Sequence, residues 1–286
     1  MKNIFYSVLV TLLVGSSLFA KPGDSAKKES DKSKFPPVIQ LPADAKAVVL
    51  SLDYTGGRIR RTNKSPLLSI LADGTIKVAD TRGKLKDTVS HISPAELQTL
   101  LRSIIHTNSA FKLNGEDIKE EVRQAAKVPQ PGADGTLRPR RNIRIMDGST
   151  TVIRINANGK QHEIKFYSLS HFARQFGDVE NLGKLNNISK LLQHEIMMAH
   201  AGGKDGLERL LEAANLALKL KYPQAKPLTA MHLTSATRRQ SGARHYHFMR
   251  HKPGADGKPQ SAIYTIVKII APPTGEPTIT VQAKLK

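Results

Sequence analysis

The segment Arg244-His245-Tyr246-His247-Phe248-Met249-Arg250-His251 places three histidines and a methionine within eight residues. On an extended strand, alternate side chains share a face. His245, His247, Met249 and His251 then form one row, and Arg244, Tyr246, Phe248 and Arg250 the other. Imidazoles two residues apart on a strand stand about 6–7 Å apart, close enough to share an ion. Imidazole with thioether suits copper, and imidazole alone suits zinc or nickel. Yet no Asp or Glu lies in the segment to complete a shell or orient a ring, and Arg244, Arg250 and Lys252 repel a cation. The favoured expectation makes Tyr246 and Phe248 core anchors and turns the histidine row to water. Copper or zinc binding by that row is the lesser alternative, and no cofactor is expected.

A second pair, His194-Glu195, begins like a zinc-protease motif, which requires another histidine four residues after the first. Position 198 is Met, and His200 lies off that helix face. Its expected place is the helix C-terminus, where a protonated ring favours the dipole. The chain has no cysteine, which excludes disulfides, zinc-thiolate sites, iron–sulfur clusters and thiol nucleophiles. No Gly-x-Ser-x-Gly elbow, Walker loop or Gly-x-Gly-x-x-Gly fingerprint occurs. Glu120 and Glu121 are adjacent on a polar helix and so diverge. No enzymatic activity is expected.

Charge is the stronger signal. The formal net charge is +20, which attracts polyanions and anionic surfaces. From Lys219 to Lys286 twelve Lys and Arg face only Asp256 and Glu276. A Gly-Gly turn is followed by Arg58, Arg60, Arg61 and Lys64, and a further cluster holds Arg138, Arg140, Arg141 and Arg144. The expected contact residues are Arg58, Arg60, Arg61, Lys64, Arg244, Arg250 and Lys252. Trp is absent and aromatics are sparse, which provides poorly for base stacking. Specific nucleic-acid recognition is accordingly not expected.

These residues need elements to position them. A basic start, an apolar run from Ile4 to Gly15 and a small residue at Ala20 predict a Sec-type signal peptide over residues 1–20, hence a secreted or periplasmic protein. For a membrane span the run is short and interrupted by Ser and Thr, and an uncleaved N-terminal anchor is the lesser alternative. Residues 21–45, rich in Lys, Ser, Asp and Pro, predict a disordered linker. "AVVLSLDY" reads as a strand, and "LLSILADGTIKV" as a hairpin with a primed turn at Asp73-Gly74. "SPAELQTLLRSIIH" reads as a helix with Ser93 as N-cap, Pro94 at its first position and Glu96 completing a capping box. "EDIKEEVRQAAK" is a polar helix. "TTVIRINANGKQHEIKFYSL" is a hairpin turning at Asn158-Gly159. One helical stretch runs from about Ser170 to His200 and is stopped by Gly202-Gly203. Then come the helix "DGLERLLEAANLALKLKYP" and three strands, the first carrying the histidines.

The fold class is α+β: an N-terminal hairpin-and-helix domain over 46–203, followed by a small helix-plus-antiparallel-meander domain over 204–286. The phrases "LDYTGGRIRR", "LSILADGTIKV", "ISPAELQTLLRSII", "TTVIRINANGKQHEIKFYSL", "HAGG" and "PLTAMHLTSATRR" together resemble a class of secreted proteins from planctomycete-type bacteria, over most of residues 46–286. That class carries no known active site, so the resemblance implies compartment and architecture only. The order "TGGRIRR…LSILADG…SPAEL" is also similar to emfourin-type protease inhibitors. The C-terminal element order resembles cystatin-like and PepSY-like modules, although no Gln-x-Val-x-Gly motif is present. The expected function is a non-catalytic binding module contacting a protein or an anionic surface polymer. Protease inhibition and copper or zinc binding are the alternatives.

Overall fold

Alternating apolar residues build an antiparallel sheet of six strands, in the order β4-β3-β2-β1-β7-β8. They are β1 Val48–Thr55, β2 Leu68–Leu71, β3 Thr75–Val78, β4 Thr88–His91, β7 Thr150–Ala157 and β8 Lys160–Tyr167. The short strands β5 Gln130–Pro131 and β6 Leu137–Arg138 pair only with each other. The computed structural model describes residues 38–57, 65–80, 83–131, 135–138, 140, 145–253 and 259–284, excepting the side chains of 131, 138, 252, 253, 259–264 and 284. Register carries the apolar pattern across the sheet. Ile76, Ile70, Leu50 and Ile155 form one inward row, and Val78, Leu68, Leu52, Ile153 and Ile164 the next. All nine are buried.

The two hairpin turns differ. Asn158 and Gly159 both have positive φ (54° and 67°) between the paired residues Ala157 and Lys160, the expected two-residue primed turn. At Asp73-Gly74 only the glycine is left-handed (φ 87°), and its N–H bonds Leu71 O at 3.0 Å. This is an ordinary turn closed by a left-handed glycine, in place of the primed turn expected there. A Cβ at Gly74 would lie 2.2 Å from Ile92 O, so glycine is required there for space as well as for φ.

Helices cover the inner face. The capping box forms as expected on α1 (Pro94–Arg102), with Ser93 and Glu96 exchanging hydrogen bonds. Leu97, Leu100 and Leu101 face the sheet, and the chain continues through a wider π turn over Ser103–Thr107. Asn114 caps α2 (Gly115–Lys127), which has Glu116 and Asp117 in its first turn, where the dipole favours acids. The single helix expected from Ser170 to His200 is two helices, α3 (Leu169–Gln175) and α4 (Glu180–Ala201). Phe176 leaves helical geometry (φ −121°) as its ring turns into the core, and Asp178 beyond it takes Arg140.

Order also begins earlier than the expected boundary at Lys46. Ile39 is buried, and its N–H and C=O bond the Gln98 side chain, both at 2.9 Å. Gln40 likewise exchanges two bonds with Asn158. A Pro-Pro-Val-Ile run in a polar context does not reveal such distant partners.

The C-terminal half has four strands where three were expected: β9 Leu233–Arg238, β10 Arg244–Pro253, β11 Pro259–Ala271 and β12 Thr278–Lys284, ordered β12-β11-β10-β9. The missed strand, "LTSATR", buries only Leu233 and Ala236, too little to mark an apolar pattern. The histidine segment is therefore the second strand of this sheet. Helix α5 (Gly203–Lys221) follows directly on α4, which Gly202 ends in a left-handed cap at φ 88°. One apolar cluster runs through Ala199, and the other begins at Ala201 and holds Leu207, Leu218, Tyr246, Phe248, Val267 and Val281. Residues from Val38 onward nevertheless form one compact unit, because the end of α4 serves both clusters. No described helix is long and apolar enough to cross a membrane.

Candidate functional site

The fold sorts the expected contact residues into different roles. Arg58, Arg60, Arg61 and Lys64 lie outside the described residues, as does the side chain of Lys252. Tyr246 and Phe248 are core anchors, at 3% and 0% exposure. His245, His247 and Met249 lie half-buried on the opposite face of β10, with His251 exposed. His251 Nε2 sits 2.9 Å from Met249 Sδ. Burial holds the His247 imidazole below its ordinary pKa, with help from Lys268, His245 and Arg239. Among the described residues, no three His, Asp or Glu side chains are grouped to hold a metal ion. The row's register neighbours are Thr237, Ser235, Ile270, Lys268 and Ile266, of which one is charged.

The arginines of β10 instead point inward, beside Tyr246. Arg250 is spent on structure: Nη1 donates to Lys226 O (2.6 Å) and Pro227 O (3.0 Å), clamping the chain between α5 and β9. Arg244 stands directly across the ladder from Arg238 of β9. Like charges so placed repel. Arg238 Nη1 donates to Lys86 O at 2.8 Å, while its Nε is buried with no acceptor. Neither arginine has a carboxylate partner among the described residues.

Arg238 borders a cleft of about 620 Å³ between the two sheets, lined also by Asp80, Lys84, Leu85, Arg239, Gln240 and Ser241. One wall is the β9–β10 turn, held by reciprocal backbone bonds between Arg239 and Ala243 or Gly242. The other is the β3–β4 loop. Its two carboxylates are turned to the loop's own backbone: Asp80 Oδ2 accepts from Lys84 N (2.6 Å) and Leu85 N (2.8 Å), and Asp87 Oδ1 accepts from Asp80 N (3.1 Å). Lys84 and Arg239 remain exposed.

Arg244 and Arg238 also act on His200, whose carbonyl accepts from Tyr246 Oη at 2.9 Å. Thr88 Oγ1 lies 3.5 Å from its Nδ1. Burial, then Arg244 and Arg238, pushes the ring down to about 4. The imidazole expected to be protonated at the helix end is thus a neutral one, because tertiary packing first buries the ring and then brings two guanidiniums near it. On the same helix, burial and then Glu96 push Glu195 up to about 7. Glu195 lines neither this cleft nor the other two cavities described next.

A shallow groove of about 410 Å³ runs over the outer face of β1, β7 and β8. There Glu163 is saturated by Arg154 and Lys165, both at 2.6 Å. An apolar pocket of about 250 Å³ lies among Phe166, Phe172 and Phe176, with Lys119 and Arg123 at its rim. Those two cations are paired with Glu116 and Glu120.

Comparison with known proteins found no matching family model, no matching curated protein and no matching solved structure.

Proposed function

We propose that the chain is an extracytoplasmic, non-catalytic binding module for an anionic polymer, engaged through the cations of its C-terminal half. The leader-like N-terminal segment supports the compartment. The observation that carries the binding reading is the distribution of ion pairs. Every ion pair between described residues lies between Glu116 and Lys184. Beyond that region Lys221, Arg238 and Arg250 bond carbonyl oxygens and Lys84 and Arg239 line the cleft, none of them with a carboxylate partner among the described residues. Such a field gathers a polyanion and releases its counterions.

Retention on heparin and on DNA at low salt tests this reading. For about four phosphate-type contacts, affinity falls roughly 50- to 150-fold between about 50 and 200 mM salt. A protein that passes through both columns at about 50 mM salt would overturn the proposal.

A further inference from the structure

We infer that the cleft between the β3–β4 loop and the β9–β10 turn is the site that holds the polymer, and that it takes a tetrahedral oxyanion ester, a sulfate or a phosphate. The inference rests on the polyanion reading above and assigns it a place and a ligand chemistry.

Three observations converge on this cleft. First, Arg238 and Arg244 stand opposite one another with no carboxylate between them, an arrangement that costs free energy until an anion sits nearby. Second, Arg238 is only partly satisfied: Lys86 O takes Nη1, and Nε is desolvated without an acceptor. A desolvated cation attracts an anion more strongly than a hydrated one. Third, among the described residues Asp80 is the one acid that lines the cleft, against the cations Lys84, Arg238 and Arg239, and its Oδ2 accepts two amide protons of the loop that presents Lys84.

The donors also come from separate directions. Arg238 and Arg239 belong to one wall and Lys84 to the other. A planar carboxylate offers two oxygens in one plane and suits a single bidentate arginine. An ester sulfate or phosphate offers three terminal oxygens and can meet both walls together. Gln240 and Ser241 add uncharged hydrogen-bonding side chains at the same rim.

The neutral ring of His200 reports on the site. Arg244 and Arg238 oppose its protonation, and an anion fixed beside them offsets that opposition. Occupancy of the cleft therefore raises the pH at which the His200 ring titrates, without any contact to the ring itself.

The experiment uses the full mature chain with three probes: a sulfated heparin-derived oligosaccharide, inorganic polyphosphate and the carboxylate polymer polygalacturonate. Affinities are measured by calorimetry for the wild type, for Lys84→Gln with Arg239→Gln, and for a charge-matched control, Lys112→Gln with Lys190→Gln. All four residues are exposed, so both variants retain the fold. The cleft variant is expected to bind the sulfated or phosphorylated probe about tenfold more weakly, the loss of two charge-assisted contacts. The control should lose less than about twofold, the effect of delocalised charge alone. Saturation of the wild type should also raise the His200 titration, followed by proton NMR, by about one pH unit.

Equal losses in both variants, an unmoved His200 titration, or tighter binding of polygalacturonate would overturn the cleft assignment while leaving polymer binding intact. Binding of none of the probes by the wild type would sink the polymer reading itself.

Discussion

The two halves of this protein differ in their ion pairs, for every one between described residues lies in the N-terminal half. In the N-terminal half, Arg140 clamps Asp178 through both guanidinium ends, at 2.8 and 2.6 Å, and lies 5.2 Å from the centre of the Phe176 ring. Glu163 takes Arg154 and Lys165, and Glu180 takes Lys184. In the C-terminal half, Arg238 and Arg250 bond backbone carbonyls, as does Lys221 Nζ to Val281 O. A carbonyl satisfies a donor but leaves the net charge in place. The ion pairs between described residues thus fall in one half, while the cations named in the other keep their charge. Net charge alone does not distinguish these outcomes.

The comparison can be broken at its core first. Phe248 is fully buried, and Phe248→Ala should cost about 3–5 kcal/mol. Because α4 packs into both apolar clusters, urea unfolding followed by circular dichroism should remain a single shifted transition. A split transition would show that the halves fold independently.

The next effect is in pH, and the two buried groups of α4 oppose each other. His200 titrates near 4 when folded, below its ordinary 6.5. The unfolded chain therefore takes up the proton first, and stability is lost as pH falls from about 6.5 to about 4. Glu195 titrates near 7, above its ordinary 4.5. Its folded form keeps a proton that the unfolded chain has released, so stability is full below about 4.5 and is lost as pH rises through 7. Each arm should amount to about 2 kcal/mol after solvent screening. Glu195→Gln should flatten the alkaline arm of the urea midpoint against pH. Arg238→Gln should shrink the acid arm by letting His200 protonate more readily.

The smallest effects sharpen the contrast between paired and unpaired arginines. Arg140→Gln removes a bidentate pair whose aspartate is half exposed, and should cost about 1 kcal/mol, less in high salt. Arg238→Gln relieves the repulsion with Arg244 while losing one carbonyl bond, and should stay within about 0.5 kcal/mol of neutral. A thermal-melt series at two salt concentrations compares them. An equal cost for both would mean that Arg238 has a neutralising partner after all.

Elements with strong local grammar were legible in the sequence. The Ser93–Glu96 capping box, the Asn158-Gly159 turn and the helix stop at Gly202 each depend on residues within a few positions of one another, and all three form. Reading failed where the determining partner is remote. Ile39 is ordered by Gln98 and Asn158 stabilises Gln40, far along the chain. Strand β9 has too few apolar residues to announce itself and is held by pairing with β10. The site was half visible. The local excess of Lys and Arg and the alternation of β10 picked out Arg244, but Arg238 and Lys84 were missed. Nothing near either of them in sequence indicates that the β3–β4 loop and the β9–β10 turn meet.

By itself, the sequence determined the α+β class, the cysteine-free chemistry, the two faces of β10 and the size of the positive charge. Those properties follow from composition and from periods of two and 3.6 residues. Tertiary structure alone decided which cations are neutralised, which histidine is stripped of its proton, and where two basic segments about 150 residues apart enclose a cleft. Pairing and desolvation depend on distances between side chains through space, and these are set only when the two sheets pack against the same end of α4.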